Sequence, residues 1–257
     1  MAAHDARFSL QGQVAVVTGA GGGIGRGGAV ALAEAGADLA LIGRNMARLN
    51  ETAAAVEKSG RRALIVEADV TDEAMVEAAC GRIVAELGSA DILFNNAGIT
   101  SPKTLADMTL EEWHRVVEVN MAGAFLCSRA FSRPMVERKR GRIINMGSIL
   151  SGRGMANRTV YSATKAGLAN FGAAMAFELG PHGITVNTIG ATVIVTDLNR
   201  ELIRTQPELY DKVLSRSAVG RLGEVDDVVG VLVFLASPAA GYVTGQTIYV
   251  DGGYTAG

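Results

Sequence analysis

The chain has 257 residues, which suits one large α/β domain. Apolar residues make up 49%, ample for a core, and the formal net charge of -2 gives no argument for nucleic acid or an anionic membrane as a partner. Cys80 and Cys127 fit no metal or redox spacing, so both are expected to be buried thiols in a reducing compartment, and the expected setting is cytoplasmic. Met1 to Arg7 holds no apolar h-region, which argues against a signal peptide. The apolar stretch Val228 to Ala236 is too short to span a bilayer.

In chain order, Val14 to Val17 reads as a buried strand. It leads into Thr18-Gly19-Ala20-Gly21-Gly22-Gly23-Ile24-Gly25 and then a helix over Arg26 to Ala35. Glycines in this context let the chain turn tightly and let backbone N–H groups approach a pyrophosphate, and the helix N-terminus favours the anion. The spacing is Gly19, Gly23, Gly25, not G-x-G-x-x-G. Asp38 to Ile42 is the second strand and Asn45 to Lys58 a helix. Arg62 to Val66 is the third strand, followed by Ala68-Asp69-Val70 and a helix over Glu73 to Leu87. Asp91 to Phe94 is the fourth, ending in Asn95-Asn96-Ala97-Gly98. One long helix is expected over Leu110 to Val136. Gly141 to Met146 is the fifth strand, ending at Gly147-Ser148. A helix containing Tyr161 follows, and Ile184 to Ile189 and Thr247 to Val250 are the sixth and seventh strands.

Short apolar strands without alternation are buried on both faces, which implies a parallel sheet covered by helices. The fold class is therefore α/β: a single doubly wound domain over residues 1–257 with a parallel seven-stranded sheet. Ligand is expected outside the carboxyl ends of the strands. The glycine loop, Asp69, Asn95 to Gly98, Ser148 and the segment after Ile189 all fall at such ends.

Tyr161 and Lys165 stand four residues apart in Tyr161-Ser162-Ala163-Thr164-Lys165. On a helix these side chains share one face. A phenol, with a reference pKa of roughly 10, is a poor acid or base at neutral pH. A fixed ammonium nearby favours the phenolate, which is a way to run proton transfer at an alcohol or carbonyl.

Together these segments resemble the short-chain dehydrogenase/reductase family over nearly the whole chain. The resemblance rests on Thr18-Gly19-x-x-x-Gly23-x-Gly25, Asn95-Asn96-Ala97-Gly98, Asn120, Ser148 and Tyr161-x-x-x-Lys165, in the family's order and spacing. It implies a Rossmann-like fold and hydride transfer between a nicotinamide and a secondary alcohol or ketone. Tyr161 would exchange the proton with the substrate oxygen. Lys165 would lower the phenol's pKa and hold the nicotinamide ribose. Ser148 would orient the substrate oxygen, and Asn120 would hold a relay water, or else satisfy a helix kink. Gly19, Gly21, Gly22, Gly23, Ile24 and Gly25 would cradle the pyrophosphate. Asp69, or else a cap for the following helix, and Val70 would meet the adenine, with Asn95, Ala97 and Gly98 along the adenosine and ribose channel. Ile194 and Thr196 would face the carboxamide. No metal is implied.

Cofactor choice turns on the end of the second strand. NAD-dependent relatives carry an acid there for the ribose 2′-OH. Here Gly43 takes that place and Arg44 follows, a match for a 2′-phosphate, so NADP(H) is favoured, with NAD(H) as the alternative. The family's Pro-Gly after the sixth strand is replaced by Ala191-Thr192. A looser nicotinamide loop, using Gly190, is the expectation.

A substrate flap is expected at about 191–216, with Leu198, Leu202, Ile203, Leu209 and Leu214 as apolar positions and Arg200 and Arg204 as candidate anion contacts. Trp113 is expected in the core or at a subunit contact. The opening Phe8 to Gly12 and the tail Asp251 to Gly257 look most like the sugar-, polyol- and sugar-acid-oxidising relatives such as gluconate 5-dehydrogenases. Reductases of 3-oxoacyl thioesters are the runner-up, with Lys139 and His182 near the places of their carrier-docking basic residues. The family resemblance also implies a homotetramer.

Overall fold

In a computed structural model, the described residues are 5–197 and 199–257, so His4 and Leu198 lie outside them. The first half alternates strand and helix: β1 (Val14–Thr18), α1 (Gly23–Glu34), β2 (Asp38–Gly43), α2 (Met46–Glu57), β3 (Ala63–Glu67), α3 (Glu73–Leu87) and β4 (Ile92–Asn95). Then come α4 (Leu110–Val117), α5 (Gly123–Glu137), β5 (Gly141–Met146), α6 (Thr159–Leu179) and β6 (Ile184–Ala191). The last part holds β7 (Ile194–Val195), α7 (Arg200–Thr205), α8 (Asp211–Leu214), β8 (Gly223–Glu224), α9 (Val225–Ala236) and β9 (Thr247–Val250).

Seven strands form one parallel sheet in the order β3-β2-β1-β4-β5-β6-β9, and β7 pairs with β8 in a separate ribbon. Alternation along each strand feeds two cores. Ala15, Val17, Leu39, Leu41 and Phe94 pack with Leu32 of α1 and Leu232 of α9. Val14, Val16, Ala40, Ile42 and Leu93 pack with Ile83 of α3 and Phe131 of α5. The chain runs outward in one direction from β1 and in the other from β4, so the order reverses between them. A crevice opens at the carboxyl ends at such a switch point.

Three expectations change. The first helix begins at Gly23 rather than Arg26, so the glycines form its first turn. The sixth strand continues to Ala191, because β9 pairs alongside it through Val250. The helix expected over Leu110 to Val136 is interrupted by a π-helical turn, Glu118–Ala122. Such turns mark a tertiary demand rather than local propensity. Trp113 is 39% exposed, outside the core. Cys80 and Cys127 are both buried and unpaired, and burial pushes their thiols up to about 11 and about 12.

At the opposite rim, Asp91 ties the amino ends of the strands together. Its carboxylate is 1% exposed and accepts from Val14 N at 2.9 Å, Ser89 Oγ at 2.7 Å and Arg140 Nη2 at 2.7 Å. Burial alone would raise its pKa, but the Arg140 guanidinium and the two hydrogen bonds outweigh it and hold the carboxyl below its usual range. Its contribution is therefore complete above about pH 4 and is lost as pH falls through the lowered value. Asp91→Ala should cost about 2–4 kcal/mol, since it leaves buried donors unpaired. Thermal unfolding should move down by roughly 5–12 °C; an unchanged midpoint at pH 7 would contradict this.

Candidate active site

Two loops meet at the crevice and are stitched together. Thr18 Oγ1 accepts from the backbone N–H groups of Asn96 (3.0 Å) and Ala97 (3.1 Å). Asn96 Nδ2 donates to the carbonyls of Thr18 (3.0 Å) and Gly19 (3.3 Å). The approach leaves no room for side chains. A Cβ at Gly25 would lie 2.3 Å from the Gly19 carbonyl oxygen and 2.5 Å from Asn96 Nδ2. Gly19 itself has φ 64° and would press a Cβ to 3.0 Å from Ala97 Cα. The helices α2, α3 and α4 are capped by Asn45, Asp72 and Thr109. By contrast, α1 has no side-chain cap and no acid in its first turn. Its leading N–H groups are left for an anion.

A cleft of about 350 Å³ lies beside this turn, lined by Gly19, Gly22, Gly23, Ile24, Gly25, Asn96, Ala97, Gly98, Ile99, Ser148, Tyr161, Lys165, Ile194 and Thr196 among others. A second cavity of about 170 Å³ continues it past Gly19, Ala97 and Gly98 to Gly43, Arg44, Asp69 and Val70. The groove thus runs from the end of β2 to Tyr161, following the rim of the sheet. Three expected residues, Gly21, Asn95 and Asn120, fall outside both linings. Gly21 faces Arg48 and accepts from Arg26 through its carbonyl. Asn95 is the last residue of β4, 3% exposed, and donates to Ser128 Oγ and to Asn145 Oδ1 of β5. Asn96, one residue on, is the one that lines the groove.

At the far end of the groove Lys165 is 4% exposed, and its Nζ donates to the Met146 carbonyl at 2.5 Å, 5.5 Å from the centre of the Tyr161 ring. Burial lowers its pKa to about 8. The Tyr161 phenol departs from expectation: burial raises its pKa, opposed by the Arg158 guanidinium and by a hydrogen bond with the Ser148 hydroxyl. The ammonium is directed at the carbonyl rather than the phenol, so the depression expected from Lys165 is not what governs Tyr161 here. Ser148 Oγ also accepts from Leu150 N at 3.2 Å, in a 3-10 turn that fixes the hydroxyl beside Tyr161.

Asn120 lies in the π-helical turn, 1% exposed. Its Oδ1 accepts from Ile99 N (2.8 Å), and its Nδ2 donates to Ile99 O (3.0 Å) and Thr164 Oγ1 (3.1 Å). The side chain holds the loop after β4 against α6, one turn from Tyr161 and beside Lys165. Arg44, 74% exposed, pairs with Asp69 at 3.1 Å. A backbone hydrogen bond from Thr71 is the main cause of the Asp69 carboxyl's lowered pKa, with Arg44 adding to it.

The loop after β6 is tied by hydrogen bonds through Asn199. Neither Ala191 nor Thr192 has a positive φ, so the β-branched residue meets no backbone penalty. Gly190 is needed for space instead: a Cβ there would lie 2.6 Å from the Tyr249 ring. Asn199 was not singled out in the sequence. Its Oδ1 accepts from Thr196 N (2.7 Å) and Oγ1 (3.3 Å), and its Nδ2 donates to Ile194 O (2.8 Å), closing the loop over the cleft. Of the two candidate anion contacts, Arg204 is paired with Glu201, and Arg200 lines a separate cavity between α1 and α9.

A family model described as enoyl-(acyl carrier protein) reductase matches residues 19–255. The chain belongs to the short-chain dehydrogenase/reductase family. It is therefore an oxidoreductase that uses a nicotinamide cofactor and acts on alcohol or keto groups. Short-chain reductase protein NovJ of Streptomyces niveus is 40% identical over 247 residues, covering 95% of this chain and 94% of that protein. The 3-oxoacyl-(acyl-carrier-protein) reductase FabG of Vibrio harveyi is 40% identical over 246 residues, covering 96% and 98%. A gluconate 5-dehydrogenase from Burkholderia cenocepacia, solved in complex with NADP and tartrate, superposes with a TM-score of 0.94 at 36% identity, covering 99% of both chains.

Within this short-chain dehydrogenase the cradle around Gly25 is the tightest contact of the groove. Gly25→Ala should weaken NADPH binding at least about tenfold, or about 1.4 kcal/mol. Fluorescence titration reads this directly; an unchanged affinity would show that the loops tolerate a methyl group where the geometry allows none.

Proposed function

We propose that this protein interconverts a secondary alcohol and a ketone of a sugar, polyol or sugar acid, with NADP(H) as the preferred cofactor. The observation that carries the reading is the convergence of Tyr161, Ser148 and Lys165 at one end of a groove whose other end holds the glycine turn and Arg44. When bound, the nicotinamide supplies or accepts the hydride. The chain's own residues handle the proton and the position of the reacting oxygen. Tyr161 gives its hydroxyl proton to the carbonyl oxygen in reduction and takes the alcohol proton in oxidation. Ser148 donates to the same oxygen. Lys165 holds the nicotinamide ribose and, as a buried cation, favours the phenolate once turned toward it. Asn120 keeps the wall beside Lys165 in register and leads the proton path to solvent.

Gly19, Gly22, Gly23, Ile24 and Gly25 take the pyrophosphate, with Gly21 shaping the turn from behind. Asp69 and Val70 take the adenine, Ala97 and Gly98 the ribose, and Ile194 and Thr196 the carboxamide. Arg44, now paired with Asp69, meets a 2′-phosphate, since Gly43 puts no carboxylate at the end of β2. The Burkholderia cenocepacia dehydrogenase, solved with NADP, supports this choice and the substrate class. Residues 191–216 form the substrate flap of a single catalytic domain.

The setting is cytoplasmic, and the assembly is a homotetramer, for which the exposed Phe125 of α5 and Phe177 of α6 offer apolar contacts. The likeness to FabG favours a second reading, 3-oxoacyl thioester reduction. Against it, Lys139 and His182 precede β5 and β6, on the rim away from the cleft.

Turnover of sugars, polyols, diketones and 3-oxoesters with both cofactors, followed at the reduced-nicotinamide band, tests the reading. Tyr161→Phe should lower kcat by roughly 10²–10⁴ while the NADPH Kd stays within about twofold. Wild type should prefer NADP(H). Full turnover in the variant, or a clear NAD(H) preference, would contradict the assignment.

A further inference from the structure

Apart from the two cores that flank the sheet, a third apolar cluster stands on the substrate side of the cleft. It is built from Ile149, Leu150, Val213 and Tyr254, with Tyr161, Val193 and Leu222 packed against it. These residues come from separate places: the turn after Ser148, the catalytic helix, the loop after β6, the flap helix α8, the turn before β8 and the tail after β9. Tyr254 is 7% exposed, although it stands in the last stretch of the chain.

The tail is shaped to put it there. Asp251 accepts from Gly253 N (2.9 Å), Thr255 N (2.9 Å) and Thr255 Oγ1 (2.6 Å). Gly252 and Gly253 have φ of 60° and 84°, and a Cβ at Gly253 would lie 2.8 Å from that of Ala218. Val219 N donates to Gly252 O at 3.2 Å. Two cations then hold the tail from opposite walls. The Arg216 guanidinium, on the flap side, lies 4.7 Å from the centre of the Tyr254 ring and donates to Gly257 O at 2.9 Å. Arg153, from the segment between Ser148 and Tyr161, donates to Thr255 O. The groove lined by the glycine turn includes no residue of this tail.

We propose that Asp251 to Gly257 is a clasp that holds the flap against the turn carrying Ser148, with Tyr254 and Arg216 as positioning residues for substrate and not for cofactor. A ring wedged between α8 and Ile149–Leu150 fixes the distance between the two walls that a substrate must touch. A cation stacked on that ring and bonded to the tail backbone keeps it seated. The proposal rests on the reading of residues 191–216 as the substrate side.

The test compares Tyr254→Ala, Tyr254→Phe and Arg216→Gln with wild type by steady-state kinetics, NADPH titration and limited proteolysis. Tyr254→Ala should raise the substrate KM tenfold or more, with kcat within about threefold and the NADPH Kd within twofold. Cleavage within residues 200–222 should accelerate. Tyr254→Phe keeps the ring and should restore both readouts. Arg216→Gln changes an exposed residue and should raise KM threefold or more, which carries the test if Tyr254→Ala does not fold. An unchanged KM and cleavage rate in Tyr254→Ala, or in Arg216→Gln where Tyr254→Ala is not recovered, would overturn the clasp. A parallel loss of NADPH affinity would overturn it too, by showing a general structural role. Should wild type turn over no alcohol or ketone, the functional reading fails, and the proteolysis comparison alone decides the clasp.

Discussion

An ammonium held almost out of water at the carboxyl end of β5 is the costly feature around which the site is arranged. Lys165 is 4% exposed and reaches the Met146 carbonyl at 2.5 Å. Its pKa falls to about 8 from an ordinary 10.5, so burial of the charge costs on the order of 3 kcal/mol at neutral pH. That cost disappears only as pH rises from about 8 toward the unfolded value, where the folded chain no longer carries the proton. A fold tolerates such a term when function needs the charge. The neighbours fit this view: Tyr161 lies one helical turn earlier, Gly98 comes so close that a Cβ there would lie 3.6 Å from Lys165 Nζ, and Asn120 braces the facing loop. The phenol's own pKa, raised by burial, is held back by Arg158, at the N-cap of its own helix, and by Ser148, on the turn after β5.

The two ends of the groove are built on different principles. At the dinucleotide end, backbone meets backbone. Thr18 and Asn96 tie the loops after β1 and β4 together, glycines remove every Cβ that would intrude, and an uncapped helix start faces the gap. At the Tyr161 end, side chains from distant segments form a small apolar cluster that includes Tyr254 of the tail. The first arrangement suits a ligand shared across a large family. The second suits a ligand that differs from member to member, because its walls can be changed without disturbing the sheet.

Most of the architecture could be read in advance. The strands Gly141–Met146 and Thr247–Val250 and the helix Glu73–Leu87 agree residue for residue with expectation. Their ends are marked by local chemistry, such as Asp72 capping α3 and Gly88 in the left-handed conformation after it. What local signals could not give were features set by distant partners. The π-helical turn exists because Asn120 bonds Ile99 and Thr164, neither of which is near it in sequence. The exchange of roles between Asn95 and Asn96 depends on which residue ends β4. The register pairing Asn95 with Asn145 turns Asn95 into the sheet and leaves Asn96 at the groove. Ala191-Thr192 looked disruptive against the family pattern, yet the strand simply runs on, with Asn199 fastening the loop beyond it.

The buried charge can be observed without substrate or turnover. Lysine side chains labelled with carbon-13 at Cε report each ammonium's titration by NMR. The account predicts one resonance that titrates near pH 8, is missing from Lys165→Met and shifts when NADPH is added. If every lysine titrates above pH 10, Lys165 is solvated, and the site is not the one described.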